Sequence, residues 1–144
     1  MTTCRKDTYR STMRIRNDPI DLDTMTQWII QASNEARLSE KSAFAVQLCL
    51  EEIVANILEH GKDSARAAAI SARLERSDSG IILDIEDDGG PFDPTLMPPP
   101  QRPDSVDTAL VGGQGIHLVR QFSSRMEYVR SDGHNRLRLT FAGA

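Results

Sequence analysis

Three short segments of this chain carry residue types that can do chemistry together. The first is Leu50-Glu51-Glu52-Ile53-Val54-Ala55-Asn56-Ile57-Leu58-Glu59-His60-Gly61. A spacing of four stacks Glu52, Asn56 and His60 on one helical face. A polar stripe on an otherwise apolar helix either faces solvent or is aimed into a site. In a site, Glu52 is a carboxylate able to accept a proton or orient a nucleophile, and Asn56 offers a neutral carbonyl oxygen suited to Mg2+. Glu51 points roughly 100° away in an ideal helix and is the poorer base. His60, one turn beyond Asn56, either caps the helix end or approaches the site; capping is the expectation.

The second segment is Asp84-Ile85-Glu86-Asp87-Asp88-Gly89-Gly90-Pro91-Phe92-Asp93-Pro94. Asp87, just past a strand-like run, can accept a hydrogen bond from an exocyclic amine. Gly89 and Gly90 would let backbone approach a flat base closely. A plain turn rich in Asp, Gly and Pro explains the same composition, and Phe92 reads as a core residue beneath the loop. The third segment, Gly112-Gly113-Gln114-Gly115-Ile116-His117-Leu118-Val119-Arg120, sets glycines before a helix. Successive N–H groups there can cradle a phosphate, aided by the positive helix end. No Gly-Lys-Ser or Gly-Lys-Thr follows, which excludes a Walker A loop, and the position is wrong for a dinucleotide fingerprint. Arg120 is suited either to phosphate or to a surface ion pair.

The elements that must position these groups are legible from periodicity. Residues 8–16 alternate, with Tyr9, Ser11, Met13 and Ile15 on one face and four residues including Arg10, Arg14 and Arg16 on the other. Leu22, Met25, Trp28, Ile29 and Ala32 predict a helix over about 21–35. Ser39 and Ser42 are candidate caps for the long helix that carries Glu52, and Gly61 is its expected stop. Strands are expected over 67–75 and 80–86, joined by a hairpin through RSDSG. A short helix is expected over about 116–122, then a closing hairpin of 125–130 and 135–141 turning at Ser131, Asp132 and Gly133. This order predicts an α+β fold, a two-layer sandwich with helices covering one face of a mixed, mainly antiparallel sheet. The run from Thr95 to Gly113, with four prolines, predicts a long functional loop.

Bulk properties set the outer limits. The 144 residues match one domain, expected to span 1–144, and the composition is 39% hydrophobic and 26% charged. No apolar run reaches the roughly 18 residues of a membrane span, and the opening MTTCRKDTYR lacks the apolar core of a signal peptide. A cytoplasmic protein without membrane contact is the expectation. A net charge of -4 without a long basic stripe argues against direct nucleic-acid binding. Cys4 and Cys49 have no ligand-spaced partners, so reduced thiols and no zinc site are expected.

Taken together, the three segments resemble, in order and spacing, the N, G1 and G2 boxes of the GHKL ATPase superfamily. Within it the chain looks most like the small anti-sigma factor serine kinases of the RsbW and SpoIIAB type. The resemblance covers nearly the whole chain and implies a Bergerat-type ATP-binding fold. It implies Glu52 as general base or orienter, Asn56 as magnesium ligand and Asp87 as acceptor of the adenine amine. Gly89 and Pro91 belong to the base-binding loop. Gly112, Gly113, Gln114 and Gly115 fall at the phosphate-facing end of an ATP lid spanning about 95–113.

The function this implies is an ATP- and Mg2+-dependent protein serine/threonine kinase acting on a STAS-domain anti-anti-sigma factor, with sigma-factor binding as a second activity. A homodimer is likewise implied. Two alternatives stay open at this stage: a nucleotide-gated binding module with little phosphoryl transfer, and a free-standing ATPase.

Overall fold

The computed structural model describes residues 8–16, 19–60, 69–96 and 114–143. Five strands, β1 (Tyr9–Arg16), β2 (Ala69–Ser77), β3 (Gly80–Asp87), β4 (Arg125–Ser131) and β5 (His134–Phe141), form one sheet in the order β1-β2-β3-β5-β4. Every described pairing is antiparallel, so the mixed, mainly antiparallel sheet expected from sequence is realised as an antiparallel one. Helices α1 (Pro19–Glu35), α2 (Glu40–His60) and α3 (Gln114–Phe122) accompany it. Among the described residues no helix is long and apolar enough to cross a membrane.

Alternation decides which sheet face the helices cover. On β3, Ile81, Leu83 and Ile85 are buried, and on β5 so are Leu137, Leu139 and Phe141. They meet Val46, Leu50, Ile53 and Val54 of α2 and Ile116 and Val119 of α3 in one apolar cluster. The opposite face carries ion pairs, including Arg73 and Arg138 on either side of Asp84, each at 2.8 Å. Burying one Leu or Ile is worth about 1.5–3 kcal/mol, against about 0–1 kcal/mol for an exposed ion pair. The helix-facing side therefore holds the fold, while the arginine-rich side is polar.

Helix boundaries follow local chemistry. Ser39 Oγ accepts the N–H of Ser42 at 3.1 Å, capping α2 as its position before the apolar run suggested. α1 ends where Arg37 turns left-handed at φ 57° and the Leu38 N–H reaches back to Ser33 O at 3.0 Å. Met25 and Ile29 of α1 are buried, as core packing required. Trp28 packs against the core while its indole N–H donates to Ser11 Oγ at 2.9 Å. Asp132 and Gly133 both take positive φ, 54° and 76°, between β4 and β5. Those values suit the tight hairpin turn expected there. The proposed stop at Gly61 lies outside the described residues.

Candidate functional site

Of the polar stripe of α2, Asn56 faces the end of the sheet and Glu52 faces the first turn of α3. Glu52 and Asn56 are half-buried between the buried Ile53 and Val54 and the exposed Ala55. Asn56 lines a pocket between α2 and the end of the sheet, together with Ile53, Ile57, Ile85, Asp87, Phe92 and Asn135. Its Nδ2 is buried and has no hydrogen-bond partner among the described residues. A buried amide left unsatisfied costs about 1–3 kcal/mol, so this position is one that a ligand or water completes. Glu51 accepts from Gln47 Nε2 at 3.2 Å along the helix and takes no part in the pocket.

Asp87 reaches the pocket because it continues the apolar face of β3. In Ile81-x-Leu83-x-Ile85-x-Asp87 every second residue faces the helices, so the carboxylate is delivered inward at the strand's last residue, 7% exposed. Its Oδ1 accepts the Gly89 N–H at 2.9 Å, folding the chain over into the glycine turn. A Cβ on Gly89 would lie 2.9 Å from that oxygen, so a side chain there would push the turn off its carboxylate. Farther along, Asp93 Oδ1 accepts the Thr95 N–H at 2.8 Å as a short 3-10 turn, Pro94–Leu96, begins. Thr95 and Leu96, expected in the long loop, sit in that turn; residues 97–113 lie outside the described residues.

Helix α3 opens two residues earlier than the sequence suggested, at Gln114, so Gly115 lies in its first turn. There it abuts α2: a Cβ on Gly115 would sit 2.2 Å from Glu52 Oε2. The helix-start glycine and the α2 carboxylate are thus brought into contact. Arg120 donates to the carbonyl of Thr95 at 2.9 Å, tying α3 to the end of the Asp87 loop. Phe92 is half-buried in the pocket wall, whereas Pro91 is exposed and stands outside its lining. Gly112 and Gly113 and the side chains of His60 and Gln114 fall outside the described residues.

Three residues of the site escaped the sequence reading. Asn135 pairs in register with Asp87 and is 6% exposed. It hydrogen-bonds Asp87, Gly90, Tyr128 and Arg130. A signal existed in Asn135-x-Leu137-x-Leu139-x-Phe141, where a polar residue occupies the buried parity of a strand. Tyr128 and Arg130, on the next strand, carried no comparable mark. A wider cleft flanks the other side of Asp87 along Arg16, Asp21, Ile70 and Asp88. The pocket under α2 is the one that gathers Asn56, Asp87 and the loop.

Among the described residues no group of three or more His, Cys, Asp and Glu could hold a metal ion by itself. The unsatisfied Asn56 Nδ2 donor, the side-chain-free approach at Gly115 and the buried Asp87 acceptor are polar groups that a nucleotide can complete, and the amide oxygen of Asn56 is the kind of neutral oxygen that Mg2+ accepts.

Comparison with known proteins agrees with this geometry. The model of the histidine kinase-like ATPase domain matches residues 15–141. The serine/threonine-protein kinase BtrW of Bordetella bronchiseptica is 36% identical over 115 residues, covering 78% of this chain and 80% of that protein. The chain belongs to the histidine kinase-like ATPase family and is homologous to the anti-sigma factor kinases of the RsbW and BtrW type. Domains of this family bind ATP with Mg2+, and the homology to BtrW supports kinase activity.

Proposed function

We propose that this chain is a cytoplasmic protein serine/threonine kinase that phosphorylates a STAS-type anti-anti-sigma partner and also binds a sigma factor, working as one domain with a lid over 95–113. The observation that carries the reading is the Glu52 and Asn56 stack: Glu52 abuts Gly115, and Asn56 lines the pocket that ends at Asp87. One helix thereby carries both polar side chains, about 6 Å of rise apart, with Glu52 toward α3 and Asn56 toward Asp87.

In this reading Asp87 accepts the adenine amine, with Gly89 and Pro91 in the loop beside the base. Asn56 would supply a protein oxygen to Mg2+, and the ion would neutralise phosphate charge. Gly112, Gly113, Gln114 and Gly115 offer backbone N–H groups to the terminal phosphate. Glu52 receives the proton that a partner serine loses as its oxygen bonds to the γ-phosphorus and the bond to the ADP oxygen breaks.

The test uses γ-labelled ATP, Mg2+, the purified chain and STAS-domain proteins from the same genome. Label should appear on a partner serine and vanish with Glu52→Gln while nucleotide binding persists. ATP binding without label on any partner would sink the kinase reading and favour a nucleotide-gated binding module.

A further inference from the structure

A row of three polar side chains crosses the end of the sheet on its helix-facing side. The registers Asp87↔Asn135 and Arg130↔Asn135 place one residue from each of β3, β5 and β4 side by side. Asn135 is buried and makes four hydrogen bonds. Its Nδ2 donates to Asp87 Oδ1 at 3.0 Å and to the Gly90 carbonyl at 2.8 Å. Its Oδ1 accepts from the Tyr128 hydroxyl and from Arg130 Nη1 at 2.9 Å. An amide has two donor hydrogens and two acceptor lone pairs, so this side chain is fully used.

The neighbours also decide which way the amide faces. Arg130 can only donate, so the amide oxygen must face it and the nitrogen must face Asp87. Arg130 is itself held by the Gly89 carbonyl at 3.0 Å. Asp87 Oδ1 then carries two donors, the Gly89 N–H and Asn135 Nδ2. Among the described residues no hydrogen bond reaches Oδ2.

We infer that Asn135 is a positioning residue for base recognition: locked by Tyr128 and Arg130, it occupies Asp87 Oδ1 and leaves Oδ2 as the acceptor offered to the exocyclic amine of the base. The inference rests on Asp87 being the base acceptor. It makes nucleotide discrimination a property of three strands acting through one carboxylate. A carboxylate anchored on one oxygen has no freedom to swing away from a base that presents an acceptor instead of an amine.

The experiment compares binding of ATP with binding of purine riboside 5′-triphosphate, which lacks the amine, by calorimetry on the full chain with Mg2+. Wild type should favour ATP by roughly tenfold or more, the range of a hydrogen bond to a charged group. Asn135→Asp, nearly isosteric but without the donor, should bring the two affinities toward parity by weakening ATP alone. Equal weakening of both nucleotides, with the ratio kept, would mean a merely structural role and overturn the inference. Tyr128→Phe combined with Arg130→Met covers the case of a misfolded Asn135→Asp: it frees the amide without touching Asn135 or Asp87. The ratio should again fall, and an unchanged ratio counts against the inference. Wild type binding both nucleotides equally would instead overturn Asp87 as base acceptor and this inference with it. A discriminating wild type beside an equally discriminating Asn135→Asp overturns the inference alone.

Discussion

Glu52 and Gly115 are in contact so close that any side chain at 115 must displace the carboxylate: an added Cβ would lie 2.2 Å from Glu52 Oε2 and 3.2 Å from its Cδ. Two helices from distant parts of the chain meet through the absence of a side chain on one and a carboxylate on the other. Because the clashing atoms belong to the end of a flexible side chain, the backbone need not move to relieve them.

Gly115→Ala should therefore leave folding nearly intact and displace the carboxylate. We expect phosphoryl transfer to fall about 10²-fold or more, the usual worth of a positioned general base, with little change in Tm. Label transfer at saturating ATP, paired with a thermal melt, checks both halves. Wild-type transfer rates from Gly115→Ala would show that the carboxylate works from elsewhere.

Asp84, on the sheet face opposite the helices, is paired with both Arg73 and Arg138. Burial alone would raise its pKa, but hydrogen bonds from Arg138 and Arg73 outweigh that and hold the carboxyl below its ordinary 3.8. A carboxylate depressed in the folded state stabilises the protein above the unfolded pKa. That contribution is lost as pH falls through the folded value. Asp84→Asn should cost about 1 kcal/mol at neutral pH, discounted for the partly exposed arginines. The gap from wild type should close in urea melts taken below pH 3.8. A gap that stayed constant with pH would exclude the charge as its source.

Cys49 lies on the buried face of α2, one turn before Glu52. Burial, reinforced by the negative charge of Glu52, pushes its thiol up to about 12. The reactive thiolate is thus nearly absent at physiological pH. In a Cys4→Ser background, a thiol reagent at mildly alkaline pH should label the native chain only at the rate of opening, and label it fully in concentrated guanidinium chloride. Rapid labelling of the folded chain would show that this stretch of α2 opens far more readily than its packing implies.

Much of the fold was readable because its elements obey local rules. Alternation marked all five strands to within two residues at each described end, and Ser39 capped α2 where expected. The start of α3 was less legible. Glycines at 112, 113 and 115 argued for a loop, while packing of Ile116 and Val119 into the core draws Gln114 and Gly115 into helix.

What the sequence determined alone was the content of single elements: the Glu52 and Asn56 stack, set by helical period, and the inward Asp87, set by strand parity. Both follow from bonds between near neighbours. The tertiary structure decided which elements meet. Sheet order β1-β2-β3-β5-β4 brings Asn135 beside Asp87 across 48 residues of chain, and packing of α3 on α2 brings Gly115 to Glu52. Neither meeting has a local cause. Each is settled by burial of the shared apolar face, which is indifferent to the polar residues it carries along until their hydrogen bonds close.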